Sequence, residues 1–513
     1  MILARKLQSA AKLYRQGGWP IVAGMAWDQS VAYMAANPVL PRGAHSQLRA
    51  LNRLFNDRPE YSVVIFDVDD LRQCRPGLLF SYLRRQFFDA TAAVPDRDAM
   101  RDAEIPILAD ALYRRWDFAA LDAALPRWRD RLAGTKFAPM LAQLARRTAL
   151  RLGRLGEAGA GLDAAGGDIA DCLLRAEIRD AQGRLEEAAA AFAQAVHRQP
   201  TDPTVRLAQA FHLLKRGRLL EGLENWGLAD RILKSYPLRK RAVQWMGEDL
   251  GTRTLMVIFE HGFGDMIQMA RFLHPLRAAQ PRARIVGMAP RALVGLLAQS
   301  FPGIEFTAAE ELDPPFDLYI PSFQMPLVVE AASLEPRRGY IRLAPPALPT
   351  PMIGRRRVGI CWRGHPRQYE LTRSVPLERF ARLFARPDTD FVVLLNKLTP
   401  AEEACLDGFP AVSRPAIADF TALGALVAAC DHVVSVDTAV AHVAAAAGRP
   451  LLLLSRPDAC WRWGPTGRRS PWYDSADVVR HPGDLDWEHV LGEAAARLNE
   501  ALAPAAASIA VAG

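Results

Sequence analysis

The chain has 513 residues, half of them apolar and 23% charged, and carries a net charge of +8. That length allows roughly two to four domains, with the composition of a globular protein rather than a disordered or fibrous one. No apolar run reaches the ~18 residues of a membrane span. The six cysteines lie far apart with no Cys-x-x-Cys, and the basic clusters at 238–241 and 354–357 stand alone, which argues against a disulfide framework, a zinc site and a nucleic-acid interface. A reducing, cytoplasmic setting and an anionic ligand such as phosphate are the expectations that remain.

At the start, "MILARKLQSAAKLYRQ" predicts a short basic amphipathic helix. It has no signal-peptide core, and peripheral contact with an anionic membrane is its one further reading. Residues 1–248 read mainly as helices, with apolar residues at i, i+3 and i+4. One segment breaks that pattern. "YSVVIFDVDDL" at 61–71 is a strand-like run that ends on Asp67, Asp69 and Asp70. It is either a carboxylate site or a solvated turn after a buried segment.

Further on, the chain repeats. Ala176, Gly183, Glu187, Phe192 and Ala195 recur 34 residues later as Ala210, Gly217, Glu221, Trp226 and Ala229, and Pro200 closes the first unit. Small residues let paired helices approach, glycine turns between them, and the aromatic packs on the neighbouring unit. This pattern resembles the tetratricopeptide repeat, clearest over 169–234, with degenerate units at 111–125 and 135–165. The resemblance implies a solenoid with a concave binding face.

From about 252 strands and helices alternate. Strands are predicted at 254–259, 283–288, 304–306 and 316–321, with helices at 265–279 and 290–300. After the linker "LPTPMIGRRR", a second series runs through strands 358–362, 391–396, 432–436 and 450–455 and helices 376–386, 419–429 and 438–447. Such alternation predicts parallel sheets covered on both faces. The expected fold class is therefore α plus α/β: a helical-repeat domain (1–248), two Rossmann-like lobes (249–347 and 355–500) and a flexible tail (501–513). Ligands of such sheets bind beyond the carboxyl ends of the strands.

Three loops fall at those ends. The first is "FEHGFGDMIQMARF" at 259–272, where Gly262 and Gly264 bracket a turn and Asp265 begins a helix. It lacks the third glycine of a dinucleotide fingerprint, and Asp265 reads either as a helix cap or as a functional carboxylate. The second, 361–380, carries Arg363, His365, Arg367 and Arg373 before Pro376. The third is "VSVDTAVAHVAAAAGRP" at 434–450, where Asp437 and Thr438 precede a small-residue helix whose first N–H groups would face an anion. His442 on that helix reads first as a core residue. In the aromatic loop "CWRWGPTGRRSPWY", Trp461, Trp463, Trp472 and Tyr473 serve either ligand stacking or packing between lobes.

These three stretches resemble the heptosyltransferase-like glycosyltransferases of the two-lobed GT-B fold, over roughly 252–495. The resemblance implies a nucleotide-sugar donor, with Asp265 as catalytic base and His261 as a secondary candidate. Arg373 of "RSVP" stands where the family has a phosphate-binding lysine. "DTAVAH" places Asp437, Thr438, Ala439, Val440 and His442 at the donor, with Ala439 in place of the family's glycine, and Arg363 joins that set. Gly262 and Gly264 would shape the loop so that a sugar can come close. Metal-independent inverting displacement is implied, because Arg and N–H groups would meet the charge of the leaving diphosphate. The "EHGFGDMIQMARF" version is more similar to bacterial proteins that join tetratricopeptide repeats to this domain, some of them flagellin glycosyltransferases, which implies a protein acceptor held by the repeats. The alternatives are an inactive scaffold, an acceptor that is a surface polysaccharide or lipopolysaccharide, and a phosphatase built on Asp67 and Asp69.

Overall fold

The computed structural model describes residues 100–503, apart from 115, 163–168, 234–242, 310–314, 330–338, 347, 349–353 and 365–369. The N-terminal basic helix, the Asp67–Asp70 segment, His365, Arg367 and the tail beyond 503 lie outside the described residues.

Two compact units emerge. The smaller takes in residues up to Ala149, together with 164–174. Its helices α1 (Ile105–Arg114), α2 (Phe118–Arg131) and the greater part of α3 (Ala138–Arg151) enclose Leu108, Leu112, Leu121, Trp128, Leu141 and Leu144. Asp117 caps α2 by accepting the Ala120 N–H, and Arg131 ties the end of that helix back to the Met100 carbonyl at 2.7 Å.

The larger unit holds 150–163 and everything from Arg175 onward. It begins within α4 (Ile169–Ala181) and continues through α5 (Leu185–Arg198), α6 (Pro203–Lys215) and α7 (Leu219–Leu233). The 34-residue period has a physical counterpart here. Gly183 and Gly217 both take left-handed backbone, at φ 76° and 77°, a conformation that costs little only for glycine. Each turn is followed by an Arg–Glu pair at the same offset, Arg184–Glu187 and Arg218–Glu221. Phe192, Ala195, Ala210 and Trp226 are buried, as packing between paired helices requires. The helical run to 248 nevertheless does not form one unit of its own. From Arg175 on, its helices belong with the sheets, because Leu214, Leu223 and Trp226 share a single core with Phe259, Met266 and Phe323.

Two parallel sheets follow. The first runs β1-β5-β2-β3-β4, with β1 Val243–Gln244, β2 Thr254–Ile258, β3 Arg284–Ala289, β4 Glu305–Ala308 and β5 Leu318–Pro321. The second runs β11-β10-β9-β6-β7-β8, with β6 Arg356–Cys361, β7 Thr389–Val393, β8 Val412–Ser413, β9 His432–Val436, β10 Leu451–Leu454 and β11 Ala476–Val479. Helices α8 (Phe263–Ala270), α9 (Leu273–Ala279) and α10 (Arg291–Ser300) serve the first sheet; α11 (Phe420–Ala428), α12 (Ala439–Ala446) and α13 (Trp487–Leu502) serve the second. The mainly apolar runs of β2 and β9 and the four leucines of β10 are what strands covered on both faces need. This is the predicted two-lobed α/β arrangement with parallel sheets.

Several boundaries differ. The first sheet starts before 249, since β1 pairs with β5 at Val243–Leu318 and Gln244–Tyr319; a two-residue strand has too little pattern to be read. The helix expected at 265–279 is two, α8 and α9, broken at Arg271 and Phe272. Helix α13 runs to Leu502, which is buried at 5% exposure, so the ordered chain passes the expected tail boundary.

Candidate active site

The carboxyl ends of both sheets open on one cleft of about 1810 Å³, lined by the 261–266, 394–397, 437–442 and 456–462 segments, by Cys361, Arg363, Gly364 and Arg373, and by one wall from α5 to α7. A typical small-ligand pocket is about 300–1,000 Å³, so this cleft has room for a two-part substrate.

Asp265 is the third residue of α8 rather than its first. Its Oδ2 accepts the Gly262 N–H at 3.1 Å, across the turn that opens the helix. Its Oδ1 accepts Nε of Arg462 at 2.7 Å and a second guanidinium N–H of the same residue. This ion pair joins the first lobe to the loop after β10, with both side chains about 15% exposed (15% and 16%). Burial opposes the charge of Arg462, but Asp265, Cys460 and Asp437 hold its guanidinium firmly protonated. The guanidinium also lies 4.5 Å over the Trp461 ring.

Gly264 has a packing reason to be glycine. A Cβ there would stand 2.5 Å from Cδ2 of His442 and 3.0 Å from its Nε2. The missing side chain lets α8 approach α12, and Gly264 also lines the cleft. His442 is itself core. It is 2% exposed, its Nδ1 lies 2.7 Å from the Tyr473 hydroxyl, and its ring packs 4.9 Å from Trp463. Burial pushes its pKa down to about 4, so the ring is neutral at physiological pH.

Asp437 does not cap α12. Its Oδ1 accepts the Trp463 indole N–H at 2.8 Å. Burial would raise its pKa, but Arg462 and Arg456 outweigh that and hold the carboxyl below its ordinary range. Thr438 is the N-cap residue of α12, with its hydroxyl 3.1 Å from that of Ser435. Ala439 and Val440 then supply the first turn at the cleft.

Arg373 ends a short helix, Glu370–Arg373, and folds across Gly364, where an added Cβ would lie 2.5 Å from its Nη2. It lines the cleft. Arg363 is committed elsewhere. It grips Glu402 through Nε (2.5 Å) and Nη2 (2.8 Å) and donates to the Lys397 carbonyl at 2.7 Å. Although burial works against the Glu402 charge, Arg363, Thr399 and Trp362 pull its pKa down to about 2. Arg363 therefore braces the loop after β6, and it also lines the cleft. His261, at φ 72°, sits between Trp226 (5.0 Å) and Phe323 (4.8 Å), with Nε2 3.7 Å from Glu260. These contacts pack it where α7 meets the first lobe, and it lines the cleft as well.

Trp461, Trp463, Trp472 and Tyr473 are all buried, and Arg271 of the first lobe stacks over Trp472 and Tyr473 at 4.9 and 5.0 Å. The loop packs between the lobes, and its Trp461 also lines the cleft. What sequence reasoning missed is its arginines. Arg462 meets Asp265, and Arg456 pairs with Asp458 at 2.9 Å. The signal was present, because the loop follows a strand of the parallel sheet as the other three loops do. Lys215 of α6 also went unnoticed. Its Nζ donates to Oδ2 and the carbonyl of Asp180 and, at 2.9 Å, to the Asp458 carbonyl. Among the described residues no group of three or more His, Cys, Asp or Glu side chains converges as metal ligands would.

Two parallel sheets whose carboxyl ends face a common cleft define a GT-B-like fold. Within it, residues 393–482 match the model of glycosyltransferase family 9 (heptosyltransferase). Protein FlbA of Caulobacter vibrioides is 26% identical over 361 residues, covering 61% of this chain and 59% of FlbA; the match thus spans about three fifths of that relative's length. The E. coli heptosyltransferase WaaC with ADP-2-deoxy-2-fluoro heptose is 14% identical, covering 48% of this chain and 99% of its own, with a TM-score of 0.35. The iron-containing dodecameric glycosyltransferase TibC of enterotoxigenic E. coli is 13% identical over 50% of this chain and 77% of its own, with a TM-score of 0.34.

Proposed function

We propose that the chain is a glycosyltransferase that moves a sugar from a nucleotide-sugar to an acceptor hydroxyl by inverting displacement. The observation that carries this reading is a carboxylate of one lobe, Asp265, facing the same cleft as Arg373, Arg456 and the first turn of α12 on the other. In-line transfer needs a base for the hydroxyl proton, and it needs positive charge and N–H dipoles where the diphosphate departs. Asp265 takes the first role, Arg373 and the 438–440 backbone the second. The guanidinium can bridge two phosphate oxygens where a lysine would meet one. The match of residues 393–482 to glycosyltransferase family 9 supports the donor side. No step of this reading passes through a metal.

The acceptor, on this reading, is a protein. The wall contributed by α5 to α7 brings Phe192, Leu207, Phe211 and Trp226 to the cleft. Phe211 is 40% exposed there, and an apolar wall of this kind suits a peptide segment better than a bare glycan.

The test is calorimetric titration of the full chain with ADP, UDP, GDP and CMP and with their nucleosides. At least one nucleotide should bind more tightly than its nucleoside. Arg373→Ala should erase most of that difference while leaving nucleoside affinity unchanged. Equal loss for both, or no loss, would remove Arg373 from the phosphate site.

A further inference from the structure

The Asp265–Arg462 pair poses a difficulty for the reading above. A general base needs an accessible lone pair, and hydrogen bonds already take three of the roughly four acceptor sites of this carboxylate. Oδ1 takes two from Arg462 and Oδ2 takes one from the Gly262 amide. As it stands, Asp265 is a restrained base.

The restraint comes from the other lobe. Arg462 belongs to the loop after β10, in the segment that holds Arg456 and Asp458 and abuts Asp437 through Trp463. Its guanidinium lines the same cleft as Arg373 and the N-terminus of α12. Resting on Trp461 and within 3.2 Å of Cys460 Sγ, it is held by its stem and indole floor while its head reaches Asp265.

We infer that Arg462 is a latch on the catalytic base, exchanged by the donor: the diphosphate displaces Asp265 from the guanidinium and so frees the carboxylate for the acceptor. This rests on the nucleotide-sugar reading and adds an order of events to it. A diphosphate carries more negative charge than a carboxylate and offers the planar pair of oxygens that a guanidinium prefers. Once released, Asp265 takes the acceptor hydroxyl's proton as that oxygen bonds to the anomeric carbon. The bond from the anomeric carbon to the phosphate oxygen breaks, its electron pair leaves on the diphosphate, and Arg462 now donates to that anion. Donor binding therefore precedes productive acceptor binding.

The latch makes a prediction opposite to that for an ordinary active-site mutation. Asp265 competes with the diphosphate for Arg462, so Asp265→Asn should tighten diphosphate binding by about 10-fold or more, the scale of one charge-assisted hydrogen bond. The probes are ADP, UDP, GDP, inorganic pyrophosphate and the parent nucleosides, titrated calorimetrically into the full chain. Nucleoside affinity should not change. Arg462→Met should weaken the diphosphate, and in that background Asp265→Asn should have no further effect. Arg462→Lys, which keeps a charge and the stem packing, guards against a collapsed loop and should fall between wild type and Arg462→Met. Tightening that persists with Arg462→Met would reveal a general field effect of Asp265 and overturn the latch. So would wild-type affinity in Asp265→Asn. Failure of every diphosphate and pyrophosphate to bind any variant would instead overturn the transferase reading, and the latch with it.

Discussion

His442 illustrates how a motif residue is recruited by packing. Its neutral ring fills the space left by Gly264 and rests on Tyr473 and Trp463. The unfolded chain titrates this group at its ordinary 6.5, whereas burial depresses the folded value to about 4. Between those values the unfolded state binds a proton that the folded state refuses, so stability falls as pH drops from 6.5 towards 4 and is complete above 6.5. At about 1.4 kcal/mol per pH unit the contribution at stake is roughly 3 kcal/mol. The melting temperature should therefore decline steeply over that window, and His442→Gln should make the slope shallower. It will not be flat, because burial depresses His481 in the same direction, to about 4. An unchanged slope in the variant would assign the acid sensitivity elsewhere.

At the scale of elements, helix α6 and the loop after β10 are tied at one point. Lys215, with 3% of its side chain exposed, bridges Asp180 to the Asp458 carbonyl, while His212 holds the other oxygen of Asp180 at 2.6 Å. Burial works against the charge of Asp180, and Lys215 with His212 more than offsets it. Lys215→Met would leave that carboxylate buried with its strongest partner gone, a change that costs about 3–5 kcal/mol in comparable pairs. It should also loosen the segment from Asp458 to Arg462. Amide exchange at 458–463 should accelerate more than exchange in β9 or β10. Exchange that slows nowhere and quickens nowhere in that segment would show that the loop is held by its tryptophans alone.

At the scale of the whole molecule, the helices from Arg175 onward share a core with the first lobe. Trp226 stacks on Phe323 at 4.6 Å; stripping such a cover resembles a Trp→Ala change in a core, about 3–5 kcal/mol. A fragment of residues 150–513 should fold and bind nucleotide as the full chain does. One of residues 249–513 should unfold at lower temperature and lose solubility, since Trp226, Leu223 and Lys215 are gone. Thermal unfolding of the two fragments side by side decides the matter. Equal midpoints would mean that the helices are only appended.

The architecture of the second half was legible because local patterns suffice for it. Apolar runs of strand length, spaced by helices, can only be buried as covered parallel sheets, and the glycines at 183 and 217 announce turns whatever surrounds them. Asp265, Arg373 and Asp437 were legible as a set because each follows a strand end, and parallel strands bring their carboxyl ends to one side. The partners of these residues were not legible. Nothing local distinguishes Arg462, which grips Asp265 from 197 residues away, from Arg363, which is spent on Glu402. Nor could the sequence say that Gly264 makes room for His442, or that His261 packs against Trp226. Which cation meets which carboxylate depends on how two sheets and a helical wall close around a common space, and only the tertiary structure fixes those distances.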